Sequence, residues 1–568
     1  MEARNRTIED WFAWIRDGHI VLPRFQRFEA WGWWQVEGIL ENILRKPALP
    51  VGALLTLEVG EEAPFHARPI SGAPEPEGRP GYHLLDGQQR LTALWRSLNG
   101  FYHDFTYMVG ADGGEEPEVD AVRRYDSRGR RYPVWCDDPS ETWRRGKIPA
   151  QLLAPDEAGR ERLKAWAREA ANGDWDVAAE INEVANQYRN RVAKFSIPFL
   201  SLPLGTDRDA ALDVFIKMNT QNTALSAFDI VVAQVEADMD ASLHEKVEGL
   251  RAAIPEIAGF GDPGEIAMQV GAVIMGQPPN RATYLGKDFG ANLASNWESI
   301  ETGISRAVRF LAEEKVYDAR TLPADPLLTL LAGYWASAPN GGDAEGAARR
   351  LARRAFWTGA FSERYQKTSA TRSALDCRQL MAYRDDGGHL PELLNQKLTP
   401  LPSAEELRTG GWPKTKDRLG RAIMAASLRA GGYDFADEAP YAPGNIARRE
   451  YHHLFPKALL ESDFPRREVF CALNCALVSW RTNRSISAKP PSVYIRERAD
   501  EVGIAKSEVD RRLRSHGIPM EALIADDFRS FIAVRSVVIH GLMVKLCDGE
   551  GVGLEDILRF EHRAGEVN

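Results

Sequence analysis

Tyr451-His452-His453-Leu454-Phe455-Pro456, then Asn474, then Thr482-Asn483-Arg484, is the stretch of this 568-residue chain whose side chains and spacing can do chemistry. Asn474 follows His453 by 21 residues, and Asn483 follows Asn474 by nine. A neutral imidazole takes a proton from water near neutral pH, so His453 is the candidate general base. Adjacent residues on a strand point to opposite faces, which turns His452 away and leaves it free to ligate a divalent ion. Asn483, on a following helix, would return a carbonyl oxygen to the same ion. Asn474 would either hold the intervening loop or orient the His453 ring through its second nitrogen. A strand–loop–helix of this composition, with one metal ion, is suited to hydrolysing a phosphodiester. Arg484 and Lys489 are the candidate contacts to the scissile phosphate, and Lys489-Pro490 with Tyr494 closes the run.

The order His-His…Asn…Asn, with Leu454-Phe455-Pro456 after the histidines and Asn483-Arg484-Ser485-Ile486-Ser487 before Lys489-Pro490, resembles the HNH (ββα-metal) nucleases. In particular it is similar to the C-terminal nuclease domain of GmrSD-type modification-dependent restriction enzymes. The resemblance implies a DNA endonuclease of bacterial anti-phage defence that uses Mg2+ or Mn2+. His453, Asn474 and Asn483 would be catalytic, and His452 and Asn483 would hold the metal. The family often has Asp or Glu where His452 stands, and imidazole is a softer ligand.

A second element is Tyr82-His83-Leu84-Leu85-Asp86-Gly87-Gln88-Gln89-Arg90. An apolar strand ends in Asp-Gly and a helix begins with Gln-Gln-Arg. Free N–H groups and the positive end of a helix dipole make such a place an anion site, or it is an ordinary turn. Gly87 would admit a phosphate close to the backbone, Arg90 would grip it bidentately, and Asp86 would hold Mg2+ or its water. With Pro23-Arg24-Phe25-Gln26-Arg27 upstream, the element resembles the N-terminal ParB/sulfiredoxin-like domain of the same family. That resemblance implies nucleoside triphosphate binding and hydrolysis, with a GTP-like nucleotide, coupled to cleavage. Gln26, Arg27, Asp86, Gly87, Gln88, Gln89 and Arg90 would form the site. Asn219, Leu225, Ser226 and Asp229 resemble a later element of that domain, with Asp229 where Glu is usual.

These elements need a scaffold, and composition bounds it. A 44% hydrophobic, 27% charged chain of this length is ordinary for a globular protein of two to four domains. Net charge of −10 argues against a nonspecific nucleic-acid coat, yet residues 441–500 carry ten Lys/Arg against six acids. Five scattered cysteines imply no disulfide framework; Cys471 and Cys475 read as small core residues. No signal-type segment or bilayer-length apolar run is evident, so the expectation is a cytoplasmic protein with no membrane partner.

Thr7 caps a helix to about Arg16 with Ile8, Trp11, Phe12 and Ile15 on one face. An aromatic cluster, Trp31, Trp33 and Trp34, leads a helix through Ile39, Leu40, Ile43 and Leu44; a strand in Val51–Val59, a helical pair over 160–194 broken near Gly173, and a strand at Ser196–Pro203 follow. Periodicity from 240 to 400 is helical, and the run Arg349, Arg350, Arg353, Arg354 could face DNA or solvent. The expected fold is α+β and predominantly helical. It comprises a ParB-like α/β domain (1–235), a helical connecting region (236–400), and an HNH nuclease embedded in helices (401–568).

The expected partners are modified, double-stranded DNA and a nucleoside triphosphate. One active site per chain cuts one strand, so a monomer would nick and a homodimer could cut both. A nucleotide-gated DNA-binding regulator with a non-catalytic HNH module is the alternative.

Overall fold

Thr7 ends one strand and caps the first helix. Its hydroxyl accepts from the Asp10 N–H (3.2 Å) while the Asp10 carboxylate reaches back to the Thr7 N–H, a capping box. From that corner the N-terminal unit is built, as described in a computed structural model of the chain. The structure describes residues 2–567 except 27–28, 30, 62, 126–128, 132, 208–209, 212, 216, 218–230, 233–242, 285, 287, 436–438, 480–481 and 483–487. The chain forms two compact units, residues 1–242 and 243–568.

In the first unit, β1 (Glu2–Thr7), β2 (Ile20–Pro23), β3 (Leu54–Glu58), β4 (Ala67–Arg68), β5 (Tyr82–Asp86) and β9 (Ser196–Leu202) make a mixed sheet in the order β1-β9-β3-β5-β2-β4. One face buries Leu54, Leu84, Ile197 and Phe199 against α1 (Ile8–Arg16), α2 (Trp33–Leu44), α3 (Gln88–Asn99) and the helical pair α4 (Glu157–Ala170) and α5 (Trp175–Lys194). Gly173, at φ +90, breaks that pair where the sequence places the break. A separate three-stranded sheet, β7-β6-β8 (β6 Phe105–Gly110, β7 Val119–Arg123, β8 Lys147–Pro149), has no counterpart in the sequence reading.

The second unit is helical around one small hairpin. α6 (Pro263–Ile274), α7 (Trp297–Glu313), α8 (Pro326–Ala336), α9 (Gly342–Phe361) and α10 (Ser369–Asp386) form a bundle. α9 also packs on α11 (Arg418–Ser427) and on a later helix, Phe528–Cys547. Arg349 pairs with Glu313 and Glu345, and Arg353 with the fully buried Glu314 (2.8 Å). Glu314 also accepts from Trp357 Nε1 (2.9 Å) and faces Arg429 (3.2 Å). These arginines therefore tie helices together.

Then come β10 (Arg449–His453) and β11 (Cys475–Ser479), followed by α12 (Pro491–Val502), α13 (Lys506–Arg514), α14 (Phe528–Cys547) and α15 (Leu554–Val567). α14 is the one described helix long and apolar enough to cross a membrane, but half of it is buried inside the protein. The whole is α+β and predominantly helical, as the sequence implies.

His83 and His516 are both buried. His83 lies mid-sheet on β5, and among the described residues neither of its ring nitrogens has a hydrogen-bond partner. His516 is fully buried, and its Nε2 meets the Tyr433 carbonyl (2.7 Å). Burial pushes both down to about 4. Each therefore binds a proton more readily when the chain unfolds. The stability they permit is complete above pH 6.5 and is lost as pH falls through about 4, on the order of 3 kcal/mol each. The melting temperature is expected to drop across that window in calorimetry, and His83→Leu to flatten the contribution of the first unit.

Candidate active site

β10 and β11 pair antiparallel, with Tyr451 opposite Leu477, His452 opposite Ala476 and His453 opposite Cys475. Strand alternation puts Tyr451 and His453 on the face that joins the small core of Met424, Leu428, Tyr441, Cys475 and Leu477, and turns His452 to the other. The His453 ring stacks on Trp412 (centroids 4.2 Å, interplanar 21°) and meets the Phe470 ring edge-on at 4.7 Å. Trp412 is delivered by a turn that bridges Gly411 to Cys471, with the Ala472 N–H donating to the Gly410 carbonyl (2.9 Å). Asp417 fastens that turn, since its Oδ1 accepts from the N–H groups of Gly411 (3.0 Å) and Gly420 (2.6 Å). A Cβ at Gly420 would lie 2.1 Å from the Gly411 carbonyl oxygen, so glycine is required for the close approach.

Both imidazoles are half-buried, and among the described residues the Nε2 of each is buried with no hydrogen-bond partner. Burial lowers the pKa of His452. It takes His453 down to about 4, helped by the neighbouring His452 and Lys457. Near neutral pH both rings are therefore uncharged, the form that ligates a cation or accepts a proton.

Three buried polar groups fix where the rings stand. Asn474 is fully buried: its Oδ1 accepts from the Phe455 N–H (2.8 Å), and its Nδ2 donates to the carbonyls of Phe455 (3.2 Å) and Val469 (3.0 Å). Its side chain is thus spent on the loop between the strands. Asp434, also fully buried, accepts from Arg449 Nη1 (2.7 Å) on β10, from the Ser479 N–H (2.6 Å) on β11, and from Thr482 Oγ1 (2.7 Å). It therefore joins both strands to the residue just before Asn483. Arg535, buried in the middle of α14, donates to the carbonyls of Leu473 (2.6 Å), Cys475 (2.9 Å), His516 (3.2 Å) and Gly517 (3.3 Å). Burial pulls its pKa down to about 10. The Tyr494 hydroxyl donates to the Leu454 carbonyl (2.9 Å) directly after the histidines.

The other sequence-marked residues divide as follows. Asn483 and Arg484 lie outside the described residues. Lys489 is exposed and pairs with Glu497. Of the basic residues counted over 441–500, Arg449 is committed to Asp434, Lys457 pairs with Glu461, and Arg498 with Glu501. Among the described residues no three His, Cys, Asp or Glu side chains converge to hold a metal ion. The described donor that fits a divalent cation is the neutral His452, with its orphaned Nε2; Asn483, substrate and water would have to complete the shell.

In the first unit, Gly87 takes φ +92 and caps α3, so the strand–Gly–helix corner stands where the sequence places it. A Cβ there would lie 2.1 Å from Leu54 Cδ2. Arg90 Nη2 donates to Asp86 (2.9 Å) and Nη1 to the Val51 carbonyl (3.0 Å). A bidentate phosphate grip by Arg90 would have to displace that carboxylate. Gln26 is buried beneath the corner, its Nε2 donating to the carbonyls of Leu84 (2.6 Å) and Leu85 (2.9 Å), while its Oε1 has no partner among the described residues. Gln89 Oε1 accepts from the Trp31 N–H (3.2 Å), and Gln88 is buried. Arg27 and the Asn219–Asp229 element lie outside the described residues. The aromatic residues are dispersed: Phe25 packs on Phe65 and Phe215, while Trp33 and Trp34 are exposed.

Sequence reasoning missed Asp434, Trp412 and Arg535. Gly410-Gly411-Trp412-Pro413 has the composition of a turn, and a lone Arg at the centre of an apolar helix is the available sign of Arg535. Replacing Arg535 with Met keeps the volume but leaves four buried carbonyls without a donor. Urea unfolding of the Arg535→Met variant is expected to show a loss on the order of 3 kcal/mol.

Comparison with known proteins adds two findings. Residues 8–236 match the family model of the GmrSD restriction endonuclease N-terminal domain. An uncharacterized protein of Methanocaldococcus jannaschii is 22% identical, over 93% of this chain and 97% of its own length.

Proposed function

We propose that this chain is a modification-dependent DNA endonuclease of the restriction type, with its nuclease centre on the β10–β11 hairpin and a nucleotide-handling corner at Asp86–Arg90. The observation that carries the reading is the neutral His452–His453 pair, on opposite faces of one strand, each with a buried nitrogen that has no hydrogen-bond partner among the described residues. The match of residues 8–236 to a restriction-endonuclease domain supports DNA as the substrate and defence as the setting.

His453 accepts the proton of the attacking water, and its uncharged state makes it ready to do so near neutral pH. Trp412 and Phe470 hold the ring in one plane and exclude bulk water from one side. His452 and Asn483 would hold Mg2+ or Mn2+, which when bound supplies positive charge beside the phosphate and the leaving oxygen. Arg484 and Lys489 contact the backbone phosphates, and Lys489 would exchange Glu497 for phosphate to do so. Asn474 contributes by holding the loop that follows the base. In the first unit, Gly87 and the start of α3 receive the nucleotide phosphate, and Arg90 releases Asp86 to grip it.

On supercoiled plasmid bearing modified cytosine or phosphorothioate linkages, with Mn2+ or Mg2+ and GTP, wild type is expected to nick. His453→Ala is expected to lose about 10²–10⁴-fold in rate. Undiminished nicking by His453→Ala contradicts the assignment. An inactive wild type that still binds the modified DNA selects the regulator reading. Asp86→Ala and Arg90→Ala are expected to abolish GTP hydrolysis in a phosphate-release assay, and full turnover in both removes the nucleotide corner.

A further inference from the structure

The second unit holds a cleft of about 790 Å³ between the end of α9, the start of α10 and the 398–419 segment. That volume lies within the range of small-molecule sites. One side is apolar, with Phe361, Leu398, Pro400 and Leu419. The other is cationic. Arg364 is neutralised by the buried Asp376 (2.5 and 2.8 Å) and by Glu392 (3.0 Å). Lys367, Arg372 and Arg418 also line the cleft, and among the described residues none of the three has a carboxylate within ion-pair distance. Arg372 Nη1 reaches the Arg364 carbonyl (2.6 Å), and Arg418 Nη1 the Ala360 carbonyl (2.7 Å).

Two acids share the lining. Glu406 is occupied by the Ser403 N–H (2.8 Å), and Glu363 is exposed and lies 3.4 Å from Gln366 Nε2. Lys367 and Arg372 bracket the start of α10, an 18-residue helix whose N-cap, Thr368, makes no side-chain cap. The helix dipole therefore adds to their positive charge.

We infer that this cleft binds a phosphate-bearing small molecule, with the phosphate held by Lys367, Arg372 and Arg418 and its remaining body against the apolar wall. A nucleotide and free polyphosphate share that chemistry. Thr409 and Arg418 line the cleft and flank the turn that carries Trp412 onto His453. Occupancy stiffens that turn and so reaches the nuclease centre. This last step rests on His453 being the base, whereas the binding does not.

Hydrogen–deuterium exchange on the full chain tests the site, with inorganic pyrophosphate, adenosine monophosphate and a short DNA duplex as separate probes. At about ten times Kd, amides of 362–372 and 398–419 are expected to exchange about ten-fold more slowly with pyrophosphate or the mononucleotide. Protection by the mononucleotide alone identifies a nucleotide ligand, and protection by both identifies a general phosphate site. Lys367→Glu, an exposed position, is expected to abolish that protection while leaving the melting temperature unchanged, and Arg372→Ala to weaken it. Protection confined to other segments, protection by the duplex alone, or protection undiminished in Lys367→Glu would overturn the proposal. Protection of 362–372 in a chain that fails to nick DNA would leave the site standing and remove only the link to His453.

Discussion

A two-stranded hairpin does not hold its own register in water, and this one is kept by a buried carboxylate. Asp434 accepts from Arg449, Ser479 and Thr482 at once, and these bonds offset the cost of desolvating its charge in this arrangement of β10, β11 and the following residue. Asn474 and Arg535 repeat the logic with uncharged acceptors. One closes the loop between the strands, and the other collects four carbonyls from chain segments far apart in sequence. The hairpin is therefore positioned by polar groups that would be costly to leave unpaired, and the histidines inherit that rigidity.

Burial then sets the chemistry. The same packing that stacks Trp412 on His453 removes water from the ring, and that lowers its affinity for a proton. A ring held neutral is ready as an acceptor, though weakly basic, and the tryptophan face limits where a water or a phosphate can approach it. Trp412 itself depends on the Asp417 turn.

What the sequence made legible was mostly local. The Thr7 cap, the Ile39–Leu44 face, the Gly173 break and the strand–Gly87–helix corner all depend on neighbours within a few residues, and each stands where local pattern places it. The pairing of β1 with β9 joins residues nearly 200 positions apart, and no local periodicity announces it. The β6–β8 sheet is short and carries polar residues at its edges, so alternation is weak there. At the candidate site, the spacing of His452, His453 and Asn474 reads as a strand–loop–helix, whereas the loop leads into a second strand, β11, that pairs with the first. Asp434, within Gly-Gly-Tyr-Asp, reads like any turn acid, because its function exists only once distant donors surround it.

The central claim is that His452 binds the divalent cation that acts with the His453 base on one phosphate. Mn2+ binding followed by electron paramagnetic resonance on the full chain, without DNA, tests it directly. The account predicts a Mn2+ signal from the wild type that persists in His453→Ala and is lost in His452→Ala, with all three proteins folded. Equal Mn2+ binding by all three would contradict it.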